Sequence, residues 1–110
     1  MTGAGTTLST HVLDAVLGRP GAGIEVVLTD ASGATLGTGT TDDDGRVRFP
    51  DPVAGGVHRL TFAVGPWFAA ADRDTFYPEV TVAFVVDADQ QHYHVPVLLG
   101  PYSYTTYRGS

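Results

Sequence analysis

Short runs rich in Val, Leu, Ile and Thr recur along the chain, and clusters of Gly, Pro and Asp separate them. Several of these runs alternate apolar and polar residues, the period of a strand with one buried face. The pattern predicts eight strands, over residues 10–16, 23–29, 35–41, 46–49, 57–64, 79–87, 92–99 and 103–108. Such evenly spaced strands and turns are typical of an all-β sandwich built from two sheets.

One segment departs from the strand pattern. Pro66 precedes Trp67, Phe68 and three consecutive alanines. Proline is favoured at the first position of a helix, and alanine has the highest helix propensity. We therefore predict one short helix over residues 66–72. The length of 110 residues fits a single domain, which we place at residues 8–110 after a flexible segment at residues 1–7.

Composition narrows the possible functions. An apolar content of 43% argues against disorder, and a net charge of −6 argues against binding to nucleic acid. The chain has no cysteine, which excludes thiol chemistry, and no lysine, which excludes a Schiff base. Residues 1–7 are small and polar, and no apolar run is long enough to span a bilayer. We expect a cytoplasmic protein without a membrane partner.

Three of the four histidines on predicted strands are candidate site residues. Strand alternation places His11 on the face of Ser9 and Leu13, where a lone histidine is more often half-buried and hydrogen-bonded than catalytic. His92 and His94 project from one face of their strand. Strand-borne zinc ligands can have this spacing, with His11 as a third ligand. In the alternative interpretation, one histidine of the pair is structural and the other acts as an acid or base.

Three consecutive aspartates precede Gly45. A calcium loop would need alternating oxygen ligands and a final Glu, whereas Asp42, Asp43 and Asp44 are adjacent and Val53 stands at the final position. An Asp-Gly pair between two strands is instead typical of a hairpin turn. The pattern leaves open which way Arg46, directly after the turn, points.

The end of the chain is dense in aromatic residues and prolines. We expect a strand that is buried to its last residues and that forms part of a site or an interface. Leu98, Leu99, Tyr102 and Tyr104 could form a subunit contact. The other aromatic side chains are predicted to pack in the core; they are Trp67, Phe68, Phe76, Tyr77, Phe84 and Tyr93.

Several motifs, in order and covering nearly the whole chain from Leu8, resemble those of the 5-hydroxyisourate hydrolases. The motifs are residues 8–14 with His11, the Asp-Gly-Arg turn within residues 41–46, residues 76–79, His92-Tyr93-His94-Val95-Pro96 and the terminal Tyr107-Arg108-Gly109-Ser110. The resemblance implies the transthyretin-like (prealbumin-like) form of the β-sandwich. Transthyretin, a hormone carrier, shares this fold but lacks equivalents of His11 and of the terminal motif.

The resemblance implies hydrolysis of the cyclic amide of 5-hydroxyisourate, during urate degradation, to 2-oxo-4-hydroxy-4-carboxy-5-ureidoimidazoline. It requires neither a cofactor nor a metal. Proton transfer would be shared by His94 and His11, with the base unassigned, and Arg46 would orient substrate and stabilise charge. The residues carried over for catalysis or substrate binding are His11, Arg46, His94, Tyr107, Arg108 and Ser110.

The resemblance also implies a homotetramer with its sites in a channel at a subunit interface. Two alternatives stay open at this point. One is a transthyretin-like carrier that binds a small aromatic ligand without turnover, and the other is a structural sandwich module. The histidines and the terminal motif favour the hydrolase over the carrier, which leaves them unexplained. The absence of lysine argues against a structural module, because such modules are often cross-linked through a lysine.

Overall fold

A computed structural model describes residues 5–110 of the chain, which form two sheets and a helix. Within this range the elements are β1 (Thr6–Asp14), β2 (Arg19–Pro20), β3 (Glu25–Asp30), β4 (Thr35–Thr40), β5 (Arg46–Val53), β6 (Gly56–Phe62), α1 (Val64–Ala70), β7 (Val80–Val86), β8 (His92–Leu99) and β9 (Tyr104–Thr106). The predicted two-sheet all-β fold with one short helix is confirmed.

The two sheets differ in how their strands are connected. The five-stranded sheet has the order β2-β1-β8-β9, and β5 also pairs with β1. The four-stranded sheet has the order β4-β3-β6-β7. Strand β1 runs parallel to β8 and antiparallel to β5, so His11 on β1 lies between the strand that carries Arg46 and the strand that carries His94.

The core lies between the sheets, where alternate residues of each strand point inward. Period-2 alternation buries Leu8 and Val12 of β1 against residues such as Leu28, Leu60 and Phe62 of the other sheet. Each such side chain contributes about 1.5–3 kcal/mol when it is fully buried. The opposite face of β1, with Ser9 and His11, is therefore free to carry polar groups.

Several predicted element boundaries differ from the structure. The helix begins at Val64, so Pro66 lies in its first turn and not at its first position. Strand β1 begins at Thr6, whereas the pattern predicts a first strand from residue 10, and the Thr6 hydroxyl donates to the Gln90 carbonyl at 2.6 Å. Residues 1–4 of the segment predicted to be flexible lie outside the described range. The short strand β2 lies where the pattern predicts only a turn.

The Asp42–Gly45 turn is present, but it does not close a hairpin. Gly45 has a φ of 79°, and the Asp42 carboxylate accepts the backbone N–H groups of Asp44 and Arg46, each at 2.9 Å. Strand β4 before the turn pairs with β3, whereas β5 after it pairs with β1 in the other sheet. The hairpin prediction is therefore wrong, because local turn chemistry does not determine which strand becomes the neighbour.

The C-terminal strand is not buried to its end as predicted. All three residues of β9 are exposed, because β9 is the edge strand of its sheet. Leu99 is fully buried, so the suggested subunit contact at this residue is wrong. Phe76 is 74% exposed, contrary to its predicted core position. The other five aromatic side chains are buried in the core or packed against it.

No helix within residues 5–110 is long and apolar enough to cross a membrane.

Candidate active site

The outer face of the five-stranded sheet carries rows of polar side chains. Residues paired across neighbouring strands project from the same face of a sheet. In one row His11 of β1 pairs with Arg46 of β5, and in the next row Ser9 pairs with Arg48 and with His94 of β8. The fold thus brings together histidines and arginines that are distant in sequence.

These rows border an open cleft of about 510 Å³. The rings of His11 and His94 lie beside each other, with 6.4 Å between their centres. The structure therefore brings His11, Arg46, His94 and Ser110 of the sequence-predicted site together. The residues lining the cleft are Ser9, Thr10, Asp42, Arg46, Val47, Arg48, His92, His94 and Ser110.

His94 is held by its neighbours on two sides. Its Nδ1 atom lies 2.8 Å from the hydroxyl oxygen of Ser9, and its carbonyl accepts the Gly109 N–H at 2.8 Å. Burial lowers the pKa of His94 below its ordinary value of 6.5. Electrostatic repulsion of a protonated His94 by His11, Arg46 and His92 lowers this pKa further. His94 is therefore neutral at pH 7, with Nε2 as the ring nitrogen not engaged by Ser9.

Ser9 is a residue of the site that the sequence interpretation missed. Its hydroxyl oxygen lies 2.8 Å from His92 Nε2 as well as 2.8 Å from His94 Nδ1. The Thr7 hydroxyl in turn lies 2.7 Å from His92 Nδ1. Alternation placed Ser9 on the face of His11, but its contacts depend on the parallel pairing of β1 with β8. No pattern in the sequence identifies that pairing.

Arg46 and Arg48 give the cleft positive charge although the chain as a whole has a net charge of −6. Arg46 follows the Asp42 turn directly, and its backbone N–H is fixed by the Asp42 carboxylate. Within residues 5–110, no carboxylate forms an ion pair with either arginine. Their guanidinium groups can therefore bind an anionic or carbonyl-rich ligand.

The terminal motif divides between two places. Ser110 lines the cleft, whereas Tyr107 and Arg108 line a separate groove of about 230 Å³. The Arg108 guanidinium lies over the Tyr93 ring, 4.7 Å from its centre. Tyr93 alternates with His94 along β8 and so faces the other side of the sheet. The structure thus does not bring Tyr107 and Arg108 into the cleft of their own chain, and their substrate contacts stay a prediction.

The described part of the chain contains no group of three His, Cys, Asp or Glu residues that could hold a metal ion. The zinc interpretation of His11, His92 and His94 therefore has no ligand set there. What the cleft does offer is a neutral imidazole as a proton acceptor, a second imidazole beside it, a guanidinium and a terminal hydroxyl. Together these groups suit addition of water to a polarised carbonyl.

Known proteins share both the sequence and the fold. The 5-hydroxyisourate hydrolase of Salmonella dublin is 45% identical over 109 residues, covering 94% of this chain and 80% of that protein. The structure of Klebsiella pneumoniae 5-hydroxyisourate hydrolase gives a TM-score of 0.87 at 39% identity, covering 96% of this chain and 94% of that chain.

A more distant similarity is to sea bream transthyretin in complex with thyroxine. It has a TM-score of 0.82 at 27% identity, covering 93% of each chain. The family model described as HIUase/Transthyretin family matches residues 8–109. The chain therefore belongs to the HIUase/Transthyretin family.

Proposed function

We propose that this protein hydrolyses 5-hydroxyisourate to 2-oxo-4-hydroxy-4-carboxy-5-ureidoimidazoline in urate degradation. The proposal rests on the presence of three groups at one cleft. His94 has a lowered pKa, the His11 ring lies beside it, and Arg46 pairs with His11 across neighbouring strands. The hydrolases of Salmonella and Klebsiella cited above support the choice of substrate.

His94 acts as the general base in this mechanism. Because its pKa is lowered, it is neutral at pH 7, and Nε2 can accept a proton from water. The water oxygen then bonds to the ring carbonyl carbon, and the carbonyl becomes an oxyanion. Arg46 stabilises that negative charge, and a single such donor typically contributes about 10²–10³-fold in rate.

Collapse of the tetrahedral intermediate breaks the carbon–nitrogen bond of the ring. The departing nitrogen needs a proton, and His11 is the imidazole placed to donate it, 6.4 Å from His94 between ring centres. The products of the step are a carboxyl group and an N–H. No covalent enzyme intermediate is needed, which agrees with the absence of cysteine and lysine from the chain.

The terminal residues have two roles in this proposal. Ser110 lines the cleft and donates a hydrogen bond to the substrate. Arg108 and Tyr107 lie outside the cleft of their own chain and anchor the tail, through the contact of Arg108 with the Tyr93 ring. The tail in turn places Gly109 against His94.

The proposal includes a homotetramer with the sites at a subunit interface. The cleft lies on an open sheet face, and hydrolysis of a reactive substrate benefits from a site shielded from bulk water. On the same sheet and its turns, apolar side chains are exposed in the single chain, with Val16 at 63%, Leu98 at 37% and Tyr102 at 67%. The turns that carry Val16 and Tyr102 begin side by side at one end of the sheet, because the Ala15 N–H donates to the Leu99 carbonyl at 2.8 Å. A second copy would cover both the turns and the cleft.

Replacement of Leu98 by Glu tests the interface. Its side chain is partly exposed, so a charge there should disrupt assembly while leaving the sandwich folded. We expect light scattering to show smaller species, with hydrolase activity lost in proportion. A monomer with full activity would contradict a site completed by neighbouring subunits. The cytoplasmic location expected from the sequence stays a prediction, which cell fractionation with a specific antibody would test.

The activity is tested by the near-ultraviolet decay of 5-hydroxyisourate, formed in the cuvette from urate by urate oxidase. We expect the protein to accelerate the decay in proportion to its concentration. Binding of the substrate without acceleration would instead indicate a carrier, the alternative that the transthyretin fold allows.

A further inference from the structure

A continuous line of hydrogen-bonding groups runs from the cleft along the sheet face. His94 Nδ1 contacts the Ser9 hydroxyl, which contacts His92 Nε2, and His92 Nδ1 contacts the Thr7 hydroxyl. The three distances are 2.8, 2.8 and 2.7 Å. We refer to His94, Ser9, His92 and Thr7, in this order from the cleft, as the hydroxyl relay. The mechanism above uses only its first member, His94.

The number of protons restricts how the relay can be arranged. A hydroxyl has one proton, so Ser9 donates to one imidazole and accepts from the other. If Ser9 donates to His92, the proton of neutral His94 lies on Nδ1 and its Nε2 is a bare base. If Ser9 donates to His94, the proton lies on Nε2, which is then a donor. The Ser9 hydroxyl therefore links the tautomer of His94 to that of His92.

The far end of the relay favours one resting arrangement. The Thr7 hydroxyl also lies 3.4 Å from the Gln91 carbonyl, which can only accept a proton. Donation to that carbonyl leaves the Thr7 oxygen to accept from His92 Nδ1–H. His92 Nε2 must then accept from Ser9, and Ser9 from His94 Nδ1–H. His94 thus presents a bare Nε2 to the cleft.

We propose that the hydroxyl relay holds His94 in the tautomer with a bare Nε2. Once Nε2 has accepted a proton, the relay transfers the resulting positive charge to His92. The proposal rests on the hydrolase function proposed above. When Nε2 bonds a proton from water, the Nδ1–H bond of His94 breaks and its proton passes to the Ser9 oxygen. The former Ser9 proton bonds to His92 Nε2. His94 is left neutral with a proton on Nε2, and His92 carries the positive charge.

The electrostatics of the site favour this transfer. His94 is partly buried, and it faces His11 from β1, Arg46 and Arg48 from β5, and Asp42 from the preceding turn. Burial and the neighbouring positive charges oppose a charge on its ring, and they lower its pKa. His92 lies at the exposed end of the relay, where water solvates a cation. Ser9 thus positions the His94 ring and passes its proton on, and His92 accepts that proton. Both residues act through His94.

Three variants separate the roles of the relay. Ser9→Ala removes the hydroxyl, and we expect kcat to fall about ten- to a hundredfold with KM within twofold of wild type. Ser9→Thr keeps a hydroxyl on a residue that suits a strand, and should restore most of kcat. His92→Gln can still hydrogen-bond to Ser9 but cannot take up a proton, so it should lose kcat as Ser9→Ala does. Thermal melting of each variant checks that it is folded.

A second readout does not depend on activity. Nitrogen-15 NMR of histidine side chains reports which ring nitrogen carries the proton. Above the pKa of His94 we expect Nδ1–H with a bare Nε2 in the wild type and in Ser9→Thr, and loss of that preference in Ser9→Ala. A wild-type spectrum with the proton on Nε2, or full kcat in His92→Gln, would overturn the relay. A wild type with the expected tautomer and no hydrolase activity would overturn the proposed function instead.

Discussion

Gly109 is the residue whose replacement tests most sharply how the tail supports the site. It pairs with His94 as an isolated β-bridge, and its N–H donates to the His94 carbonyl at 2.8 Å. Its Cα therefore lies directly against the imidazole. A Cβ added at this position would lie 2.7 Å from His94 Cδ2 and 3.2 Å from His94 Cβ and Cγ. Gly109→Ala should displace either the ring or the tail.

The size of the effect follows from these distances. Carbon atoms in contact prefer a separation of about 3.5–4.0 Å. The shortest contact of the new methyl group at 2.7 Å would thus have to lengthen by about 0.8–1.3 Å. A displacement of about 1 Å at a catalytic group can cost about 10²-fold in rate. We expect kcat/KM of Gly109→Ala to fall by about that factor. The free energy of unfolding should change by less than about 1 kcal/mol, because the tail packs outside the core.

The assay is the decay of 5-hydroxyisourate, measured for Gly109→Ala beside Gly55→Ala. The control makes the same substitution in a loop away from the cleft, where the nearest contact of a Cβ is an ordinary 3.4 Å. Urea unfolding of both variants monitors stability. Wild-type kcat/KM in a folded Gly109→Ala protein would refute the argument that the tail fixes the His94 ring.

Further predictions concern charge. Arg46→Gln should lower kcat/KM about 10²–10³-fold. It should also move the acid limb of the pH–rate profile to higher pH, because the Arg46 charge lowers the pKa of His94. Arg59→Gln, which lies on the other sheet, should have neither effect. Arg73 forms an ion pair of 2.7 Å with Asp14, so Arg73→Met should lower the free energy of unfolding by about 2 kcal/mol in urea titrations, and an unchanged midpoint would contradict this. Burial raises the pKa of Asp14, but the Arg73 contact and nearby backbone N–H groups outweigh it, so the folded pKa lies below the ordinary 3.8. Because the pKa of Asp14 is lower in the folded than in the unfolded chain, the ionised carboxylate stabilises the fold fully well above pH 3.8, and this stabilisation is lost as the pH falls through the folded pKa. Thermal melts at decreasing pH should show this loss, and the loss should be smaller in Arg73→Met.

Sequence patterns predicted the parts of the molecule that local chemistry determines. Strand periodicity predicted the strand over residues 92–99 and the placement of His92 and His94 on one face, and turn residues predicted the turn at Gly45. The structure has all three features. The helix was displaced by only two residues at each end, because Pro66 is tolerated throughout the first turn.

Long-range pairing was beyond the reach of the sequence. The parallel contact of β1 with β8 brings Ser9 to His94, and no local pattern encodes it. The same holds for the turn at Asp42, which joins two sheets although its residues suit a hairpin. The path of the tail, which takes Arg108 to Tyr93 and Ser110 to the cleft, is set by packing at an edge strand.

We propose that His94, His11 and Arg46 together catalyse the hydrolysis of a cyclic amide. The most direct test of this proposal is the rate of 5-hydroxyisourate decay with wild-type protein, His94→Asn, His11→Asn, Arg46→Gln and a chain ending at Thr106. We predict accelerated decay by the wild type and a large loss of that acceleration in each variant while the assembly stays folded. Decay at the spontaneous rate with folded wild-type protein would contradict the account.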